Sequence, residues 1–351
     1  MITDPQSHEP LEAMLRLLNG HSVEQALHVV AVLGVADLLR DGARSSDDLA
    51  RATGTDQQAL HRLLRLLTTV DVFREDGNGN FVLTPLASTL RSDLNGPMRD
   101  RAIYCGRSEM WQVWGNLMHT VKTGASAFEH VHVDSFYQFL AKRPEVGAPF
   151  NGYMTKTSEQ HVAALLEAYD FSQFRTLVDV GGGHASTLAA ILQACPQLHG
   201  TLFDLPQVVE GARALQAPGI AERSRRVGGD MHQSVPSGSN GYLIKWILMD
   251  RSDEAAVNVL RNCREAMADS AKVIVVETLL PRSNPSHVAS LFDMQMMLLF
   301  GRGRLRSEQE HRDLFEAAGL TLARCIPTRS PNTILEGVRP HVGTATGSQN
   351  L

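Results

Sequence analysis

The sequence lacks several features that mark common classes of protein. Its four cysteines are far apart and form no CxxC pair, which argues against a disulfide framework and favours the reduced thiols of a cytoplasmic protein. No apolar run reaches the length of a membrane span, and the polar start Met1–Pro5 does not resemble a signal peptide. Positive charge is not in excess. The formal net charge of −5 argues against a protein that binds nucleic acid by neutralising phosphates.

The most informative segment that is present is Leu177–Ser186, where a buried strand is followed by a glycine turn and a helix start. In α/β sheets such a segment binds a nucleotide-like ligand at the carboxyl end of the strand. Asp204 closes the next apolar run and lies 204 − 183 = 21 residues after Gly183, where an acid reaches ribose hydroxyls. The alternative is a glycine-rich turn without a ligand.

Basic residues are missing around this turn. No Lys or Arg lies between Arg175 and Arg213, and the acids Asp179 and Asp204 flank the glycines. This arrangement of charges disfavours a pyrophosphate and hence a dinucleotide. S-adenosylmethionine (SAM) carries ribose, adenine and a positive charge but no phosphate. The sequence therefore predicts SAM as the cofactor and no metal.

The first third of the chain is predicted to be mainly helical, because apolar residues recur at helical spacing from about residue 10 to residue 110. Ser45 and Ser46 precede one helix, a leucine-rich helix follows, and residues 72–83 have the turn of a hairpin. This order makes a winged-helix shape, which also occurs in DNA-binding regulators. Acids outnumber basic residues between Ser45 and Asp93, however, and the apolar excess favours a dimer interface.

From Phe171 onward, strands and helices alternate. We expect helices at 186–194, 253–268 and 307–318, and strands near 176–180, 200–204, 225–229, 241–248, 271–277, 320–326 and 332–337. Apolar, β-branched strands that alternate with helices predict an α/β fold with a parallel, doubly wound, Rossmann-like sheet that is covered on both faces.

Nearly the whole chain resembles the class I SAM-dependent methyltransferases, in the small-molecule O-methyltransferase group of plant caffeate methylation and bacterial polyketide tailoring. The motifs that carry the resemblance are 178–183 (VDVGGG), 203–206 (FDLP), 229–231 (GDM), 242–245 (YLIK), 252–254 (SDE) with 263–264 (CR), and 334–336 (ILE). The resemblance implies a homodimeric methyltransferase that acts on an aromatic or polyketide small molecule.

The resemblance and the composition together divide the chain into five expected segments. They are a disordered start at 1–10, a winged-helix-like dimerisation domain at 11–105, a helical linker with a substrate-pocket segment at 106–165, a SAM-binding methyltransferase domain at 166–340 and a disordered tail at 341–351.

The resemblance also implies the cofactor-binding residues. Gly181 lets the backbone approach the cofactor, Asp204 binds the ribose hydroxyls, and Lys245 lies near the cofactor. Adenine needs an apolar wall and an acceptor for its amino group, which Met231 and Asp230 can supply; the alternative for Asp230 is a solvated turn residue. The predicted set is Asp179, Gly181, Gly183, Asp204, Asp230, Met231 and Lys245.

The catalytic pattern of the family is interrupted. In most members a histidine after the fourth strand removes the proton of the acceptor hydroxyl, but here that position is Met249. A supporting acid of the family is replaced by Leu305, whereas Glu277 survives. Asp250 and Glu277 are the candidate catalytic residues, with helix capping as the alternative for Asp250. We expect the Met249 position to be partly open.

We therefore expect O-methylation that depends on proximity and desolvation, as in the branch that methylates anthracycline-type polyketides. Alignment of the reactants can contribute roughly 7–11 kcal/mol, as much as a general base or more. The alternatives are methylation of carbon or nitrogen, or a SAM-binding hydroxylase, decarboxylase or pericyclase that transfers no methyl group.

Two further groups of residues bear on the acceptor. The histidines that could replace the missing base are His119, His130, His132, His161 and His287. His130 and His132 are expected in a loop that faces the substrate, or else as surface and packing residues. The expected substrate contacts are Phe150, Met154, Met249, Asp293 and Met297.

Overall fold

The computed structural model of the protein describes residues 9–96, 98–283 and 285–340. The disorder expected for segments 1–10 and 341–351 falls outside these ranges, apart from residues 9 and 10, which begin a helix. The chain forms two compact units. The first contains the residues up to Gly115 and Tyr137–Thr157; the second contains Asn116–Phe136 and the residues from Ser158 onward.

Within the described residues the helices, in chain order, are α1 (Glu9–Leu18), α2 (Gly20–Val32), α3 (Val35–Leu38), α4 (Ser46–Thr53), α5 (Gln57–Thr68), α6 (Pro85–Ser88), α7 (Met98–Cys105), α8 (Ser108–Gly115), α9 (Leu117–Thr123), α10 (Ala127–His132), α11 (Phe136–Lys142), α12 (Pro144–Ala168), α13 (Ser186–Ala194), α14 (Pro206–Val209), α15 (Asp253–Ala266), α16 (His287–Phe300) and α17 (Glu308–Ala317). None of them is long and apolar enough to cross a membrane.

The strands are β1 (Phe73–Glu75), β2 (Phe81–Leu83), β3 (Thr176–Val180), β4 (His199–Asp204), β5 (Ser224–Gly228), β6 (Gly241–Lys245), β7 (Lys272–Thr278), β8 (Thr321–Pro327) and β9 (Asn332–Val338). The first two form an antiparallel pair, and the other seven form one sheet with the order β5-β4-β3-β6-β7-β9-β8.

The first unit has the predicted order of helix, helix and hairpin. The Ser45 hydroxyl accepts a hydrogen bond from the Asp48 N–H at 3.1 Å and caps α4. Helix α5 buries Leu60, Leu64 and Leu67, whose spacing places them on one helical face. These leucines pack with residues of the β1–β2 hairpin in a single apolar core.

The sheet of the second unit is mixed, so the expectation of a fully parallel sheet is wrong at one edge. Strands β3 to β7 are parallel to one another, but β9 is antiparallel to both β7 and β8. Only four residues separate β8 from β9. So short a connection forms a hairpin, because a parallel neighbour needs a crossover of a dozen or more residues.

Both faces of this sheet are covered, as predicted. Successive residues of β3 alternate between two apolar cores: Leu177 lies in the core that includes α13, and Val178 lies in the core that includes α15 and α17. Strands β4 and β6 lie on either side of β3. The strand order therefore reverses at β3, and in open α/β sheets the crevice at such a reversal is where ligands bind.

The strand expected at 241–248 ends early. Strand β6 stops at Lys245, Trp246 has a positive φ of 56°, and Leu248–Asp250 form a short 3₁₀ segment. A left-handed residue cannot continue an extended strand. The chain consequently leaves the sheet at Trp246, just before the segment in which the resemblance predicts the catalytic position Met249.

Candidate functional site

The glycine turn after β3 has two different sides. Gly181 and Gly183 have positive φ angles of 71° and 58°. A Cβ on Gly181 would lie 2.6 Å from Ile247 Cδ1 and 3.0 Å from Met231 Cε, whereas a Cβ on Gly183 would meet no atom within 4 Å. Gly181 is thus required by packing against the protein, and the open side of the turn is at Gly183.

Asp204 connects the ends of β3 and β4. Its Oδ2 accepts a hydrogen bond from the Gly183 N–H at 2.8 Å, and its Oδ1 accepts one from the Leu205 N–H at 2.7 Å. Burial raises the pKa of this carboxyl, although both hydrogen bonds act in the opposite direction. Each oxygen keeps a second lone pair, so the group can still accept hydroxyl donors.

Asp179 lies beneath the turn. Its side chain is 1% exposed, and its Oδ2 has no hydrogen-bond partner among the residues that the structure describes. A Cβ on Gly182 would stand 2.3 Å from this oxygen, which explains the central glycine. Burial raises the pKa of Asp179 to about 7, while the positive charge of Lys245 opposes the rise.

Lys245, at the end of β6, is the cation whose positive charge acts on the Asp179 carboxyl. Its Nζ donates a hydrogen bond to Ser158 Oγ at 2.8 Å and lies 3.4 Å from the centre of the Trp246 ring. Burial lowers the pKa of Lys245 to about 7, with Asp179 acting in the opposite direction. Ser158 was missed at the sequence level, because it lies 87 residues away from Lys245 in a helix.

His161 is held by Asn332 next to the same lysine. The Trp246 indole N–H donates to Asn332 Oδ1 at 2.9 Å, so the Asn332 amide nitrogen is the donor to His161 Nδ1 at 3.2 Å. The neutral imidazole then carries its proton on Nε2. Burial, together with Lys245, lowers the pKa of His161. In this arrangement His161 presents an N–H group, which does not suit it to replace the missing base.

Asp230 and Met231 follow β5. The Asp230 Oδ1 accepts from the His232 N–H at 2.9 Å, and the Met231 carbonyl accepts from the Asn262 amide at 2.7 Å. The structure brings Met231 next to Gly181 at the turn. The predicted cofactor residues thus come together at the carboxyl ends of neighbouring strands.

The Met249 position is buried, with 3% of the residue exposed, so the expectation that it would be partly open is wrong. The Met249 N–H donates to Glu277 Oε1 at 2.9 Å, and the Met249 carbonyl accepts from the Arg304 N–H at 2.8 Å. These two bonds hold the backbone of the turn from both sides.

Arg306 donates hydrogen bonds to the turn that contains Met249, and the sequence did not predict this role. Its guanidinium has no exposed surface and donates to the Leu248 carbonyl at 2.7 Å and the Arg251 carbonyl at 2.8 Å. It also donates to Asp253 Oδ1 at 2.9 Å. These partners of Arg306 are more than 50 residues away in sequence, so no local sequence pattern predicts the contacts.

Asp250 lies in the 3₁₀ segment and is 7% exposed. It does not cap α15, because the Ser252 hydroxyl accepts the capping hydrogen bond from the Ala255 N–H at 3.3 Å. The capping alternative for Asp250 is therefore wrong.

Glu277 has no exposed surface, and both its oxygens have partners. Oε1 accepts from the Met249 N–H, and Oε2 lies 3.1 Å from His311 Nε2. His311 is also fully buried, and its Nδ1 lies 3.0 Å from the Ser307 carbonyl oxygen. Sequence reasoning missed His311. The sequence shows only that a histidine lies in the helix after Leu305, and it does not show that this histidine contacts Glu277.

The expected substrate residues fall in both units. Phe150 and Met154 lie on α12 in the first unit, where the Phe150 ring centre is 5.2 Å from that of Tyr104. In the second unit, Met297 lies half-buried on α16, and Asp293 on the same helix accepts a hydrogen bond from the Leu305 N–H at 2.7 Å.

His130 and His132 lie in helix α10, so the loop expected around them is wrong. The imidazole of His130 stacks on that of His119, with ring centres 3.9 Å apart. Across the described ranges, no group of three or more metal-ligating side chains occurs.

Comparison with known families gives two matches along the chain. The family described as "O-methyltransferase domain" matches residues 114–321, and the family described as "O-methyltransferase dimerisation domain" matches residues 15–93.

Individual relatives match over most of their length. Phenazine O-methyltransferase PhzM of Lysobacter antibioticus is 37% identical and covers 92% of this chain and 94% of its own length. Phenazine-1-carboxylate N-methyltransferase of Pseudomonas aeruginosa is 33% identical and covers 89% of this chain and 94% of its own length. The crystal structure of the O-methyltransferase NcsB1 from neocarzinostatin biosynthesis, in complex with SAM and 2-hydroxy-5-methyl naphthoic acid, is 31% identical, has a TM-score of 0.79 and covers 90% of this chain and 96% of its own.

Proposed function

Because this chain belongs to the O-methyltransferase family that joins a dimerisation domain to a methyltransferase domain, we propose that it methylates a hydroxyl group of an aromatic or polyketide natural product. The observation that carries the proposal is the hydrogen bond from the Gly183 N–H to Asp204, which connects the ends of β3 and β4 close to a buried Asp179 oxygen that has no partner in the described part of the chain. The enzyme is a SAM-dependent methyltransferase, and homodimer formation is part of the proposal.

The residues around the glycine turn suit SAM. The buried Asp179 Oδ2 has no hydrogen-bond partner within residues 9–96, 98–283 and 285–340, and Gly183 leaves open space where a side chain would stand. We assign the ribose hydroxyls to Asp204, the adenine to Asp230 and Met231, and the neighbourhood of the amino-acid end to Lys245, with Gly181 shaping the turn. When bound, SAM supplies an electrophilic methyl group and a positive charge, which complements Asp179.

The acceptor side works without a histidine base. Met249 cannot take a proton, and Glu277 is closed off from solvent by its contacts with Met249 and His311. General-base catalysis is worth about 10²–10⁴-fold, and alignment of the reacting groups can replace it. An acidic phenol gives up its proton to water before it binds, so it needs no base in the site. We propose this by similarity to the anthracycline-methylating branch.

The remaining candidates contact the acceptor in this proposal. Asp250 is the carboxylate that orients the acceptor hydroxyl or receives its proton. The apolar walls and the orienting carboxylate on α16 are assigned to Phe150, Met154, Met249, Asp293 and Met297. Glu277 acts through the backbone of Met249 and is a positioning residue.

The test is methyl transfer from SAM with a deuterated methyl group to a panel of phenols, naphthols and hydroxyphenazines. Product that carries the label on oxygen supports the proposal. Product without the label contradicts it and favours a SAM-binding enzyme that transfers no methyl group.

N-methylation is the second candidate. A neutral aromatic amine already has a lone pair and needs no base before attack, which suits a site with Met249 in place of a histidine. A relative named for N-methylation matches nearly the whole chain. Aminophenols offered to the enzyme separate the two functions, since carbon NMR of the product distinguishes an O-methyl from an N-methyl group.

A further inference from the structure

Glu277, the positioning residue of the proposed reaction, forms a buried pair with His311, to which that proposal gives no role. Neither residue has exposed surface, and Glu277 Oε2 lies 3.1 Å from His311 Nε2. Two further bonds fix the pair at its ends. Glu277 Oε1 accepts the Met249 N–H at 2.9 Å, and His311 Nδ1 faces the Ser307 carbonyl oxygen at 3.0 Å.

The hydrogen bonds determine how many protons the pair holds. A carbonyl oxygen only accepts, so His311 Nδ1 must carry a hydrogen and donate it to Ser307. In a neutral imidazole Nε2 would then be an acceptor, and a carboxylate oxygen facing it would be a second acceptor. The contact between Nε2 and Oε2 therefore requires one more proton, either on Nε2 or on Oε2. In both cases the pair is net neutral, as a buried site favours.

The number of protons that Glu277 and His311 hold determines whether Glu277 can act as a base. The proton between Glu277 and His311 is already in place, so the carboxylate is not available to accept one from a substrate. The other oxygen, Oε1, accepts the hydrogen bond from the Met249 N–H, at the position where the family has its base. We infer that Glu277 and His311 share one proton as a net-neutral pair, and that His311 is thereby a positioning residue that fixes the Met249 turn for methyl transfer.

The role in catalysis rests on the proposed methyl transfer, whereas the shared proton does not. The first test is therefore independent of activity. Ring ¹⁵N NMR of the full chain with labelled histidine, assigned by comparison with His311→Phe, reports the protonation of each nitrogen. We expect a protonated Nδ1 and a partly or fully protonated Nε2 in the wild type, and an unprotonated Nε2 in Glu277→Gln. A wild-type signal with Nδ1 unprotonated would overturn the shared proton.

The second test uses variants that separate charge from geometry. Glu277→Gln keeps both bonds, because the amide oxygen accepts from Met249 and the amide N–H donates to neutral His311; its kcat should fall much less than that of Glu277→Ala. Glu277→Ala and His311→Phe should lower kcat by up to about 100-fold through misplacement of the turn, with the KM for SAM unchanged. The matched control is His199→Phe at the exposed amino end of β4, which should change nothing.

Replacing only Glu277 or only His311 can unfold the protein, because the remaining partner would be a buried charge without its counterpart. The double variant Glu277→Leu/His311→Phe removes both polar groups together, which buried pairs commonly tolerate. It should remain folded in a thermal melt and still lose kcat, because Met249 N–H has lost its acceptor. Wild-type kcat in this double variant, or a loss in Glu277→Gln as large as in Glu277→Ala, would overturn the positioning role. If the wild type transfers no methyl group at all, the proposed function fails while the NMR result still decides the proton count.

Discussion

The ionisation of Asp179 sets the charge that the second unit presents to a cationic ligand. Burial raises the pKa of this carboxyl to about 7, above the value in an unfolded chain, so its contribution to stability is lost as pH rises through about 7. A bound positive charge reverses this preference, because it stabilises the carboxylate. In the proposed site, the ionisation of Asp179 and the binding of SAM are thus linked.

We predict that the affinity for SAM rises between pH 6 and pH 8, by up to about tenfold per pH unit below the pKa. Calorimetric titration at several pH values measures this. In Asp179→Asn the rise should be lost, and S-adenosylhomocysteine, which lacks the sulfonium charge, should show a smaller rise. An equally steep rise in Asp179→Asn would assign the effect to Lys245, whose pKa is also lowered to about 7.

Met249 gives a second prediction for a single side chain. Met249→His should not create a working base, because the proton shared with His311 already neutralises Glu277, which then offers no negative charge to stabilise a protonated imidazole at residue 249. The variant should have the kcat of the volume-matched control Met249→Leu. It should also be less stable by about 1–3 kcal/mol, since a buried imidazole would lack partners. Thermal melts and kcat measure both effects, and a large gain in kcat with an imidazole-like pH profile would contradict the account.

Single residues differ in how far the sequence predicts them. Asp179 and Asp204 end apolar strands, so their place at one edge of the sheet follows from a local pattern. His311 and Arg306 contact residues more than 30 positions away, and their helical or loop surroundings carry no matching signal. Met249 was expected to be partly open because side-chain burial depends on packing that a single sequence does not reveal.

The segment Gly303–Ser307 is the element that fastens the Met249 turn. Arg306 donates to the buried Leu248 carbonyl and the partly buried Arg251 carbonyl, and Arg304 donates to the Met249 carbonyl through its backbone N–H. Arg306→Ala leaves the Leu248 and Arg251 carbonyls without these donors, so it should lower the free energy of unfolding by roughly 2–5 kcal/mol. Urea denaturation measures the change. The exposed neighbour Arg302 provides the control, and equal stabilities of Arg306→Ala and Arg302→Ala would contradict this role.

Elements were more predictable than contacts. The observed strands β3, β4 and β7 lie within a residue or two of their expected positions, because buried parallel strands are short continuous apolar runs between turn residues. The antiparallel direction of β9 was not predicted, because an apolar run of residues does not show which way the strand points in the sheet. The early end of β6 depends on the left-handed Trp246, a residue type for which that conformation is uncommon.

At the scale of the whole molecule, the first unit exposes an apolar helix. Helix α1 has no buried residue, and Leu11, Leu15 and Leu18 are 58%, 48% and 63% exposed. An exposed apolar face of this kind marks an interaction site. We predict a homodimer in solution by light scattering, and a shift toward monomer in Leu11→Glu/Leu15→Glu. Arg16→Glu on the same helix is the control, and a monomeric wild type would contradict the prediction.

The central claim is that Asp204, joined to the turn at Gly183, holds the ribose of SAM. Calorimetric titration of SAM into the wild type and into Asp204→Ala tests it most directly, with Asp269→Ala at an exposed site as the control. The account predicts that Asp204→Ala binds SAM about 10- to 100-fold more weakly, the equivalent of a lost charge-assisted hydrogen bond. Equal affinity in all three proteins, or no binding to the wild type, would contradict it.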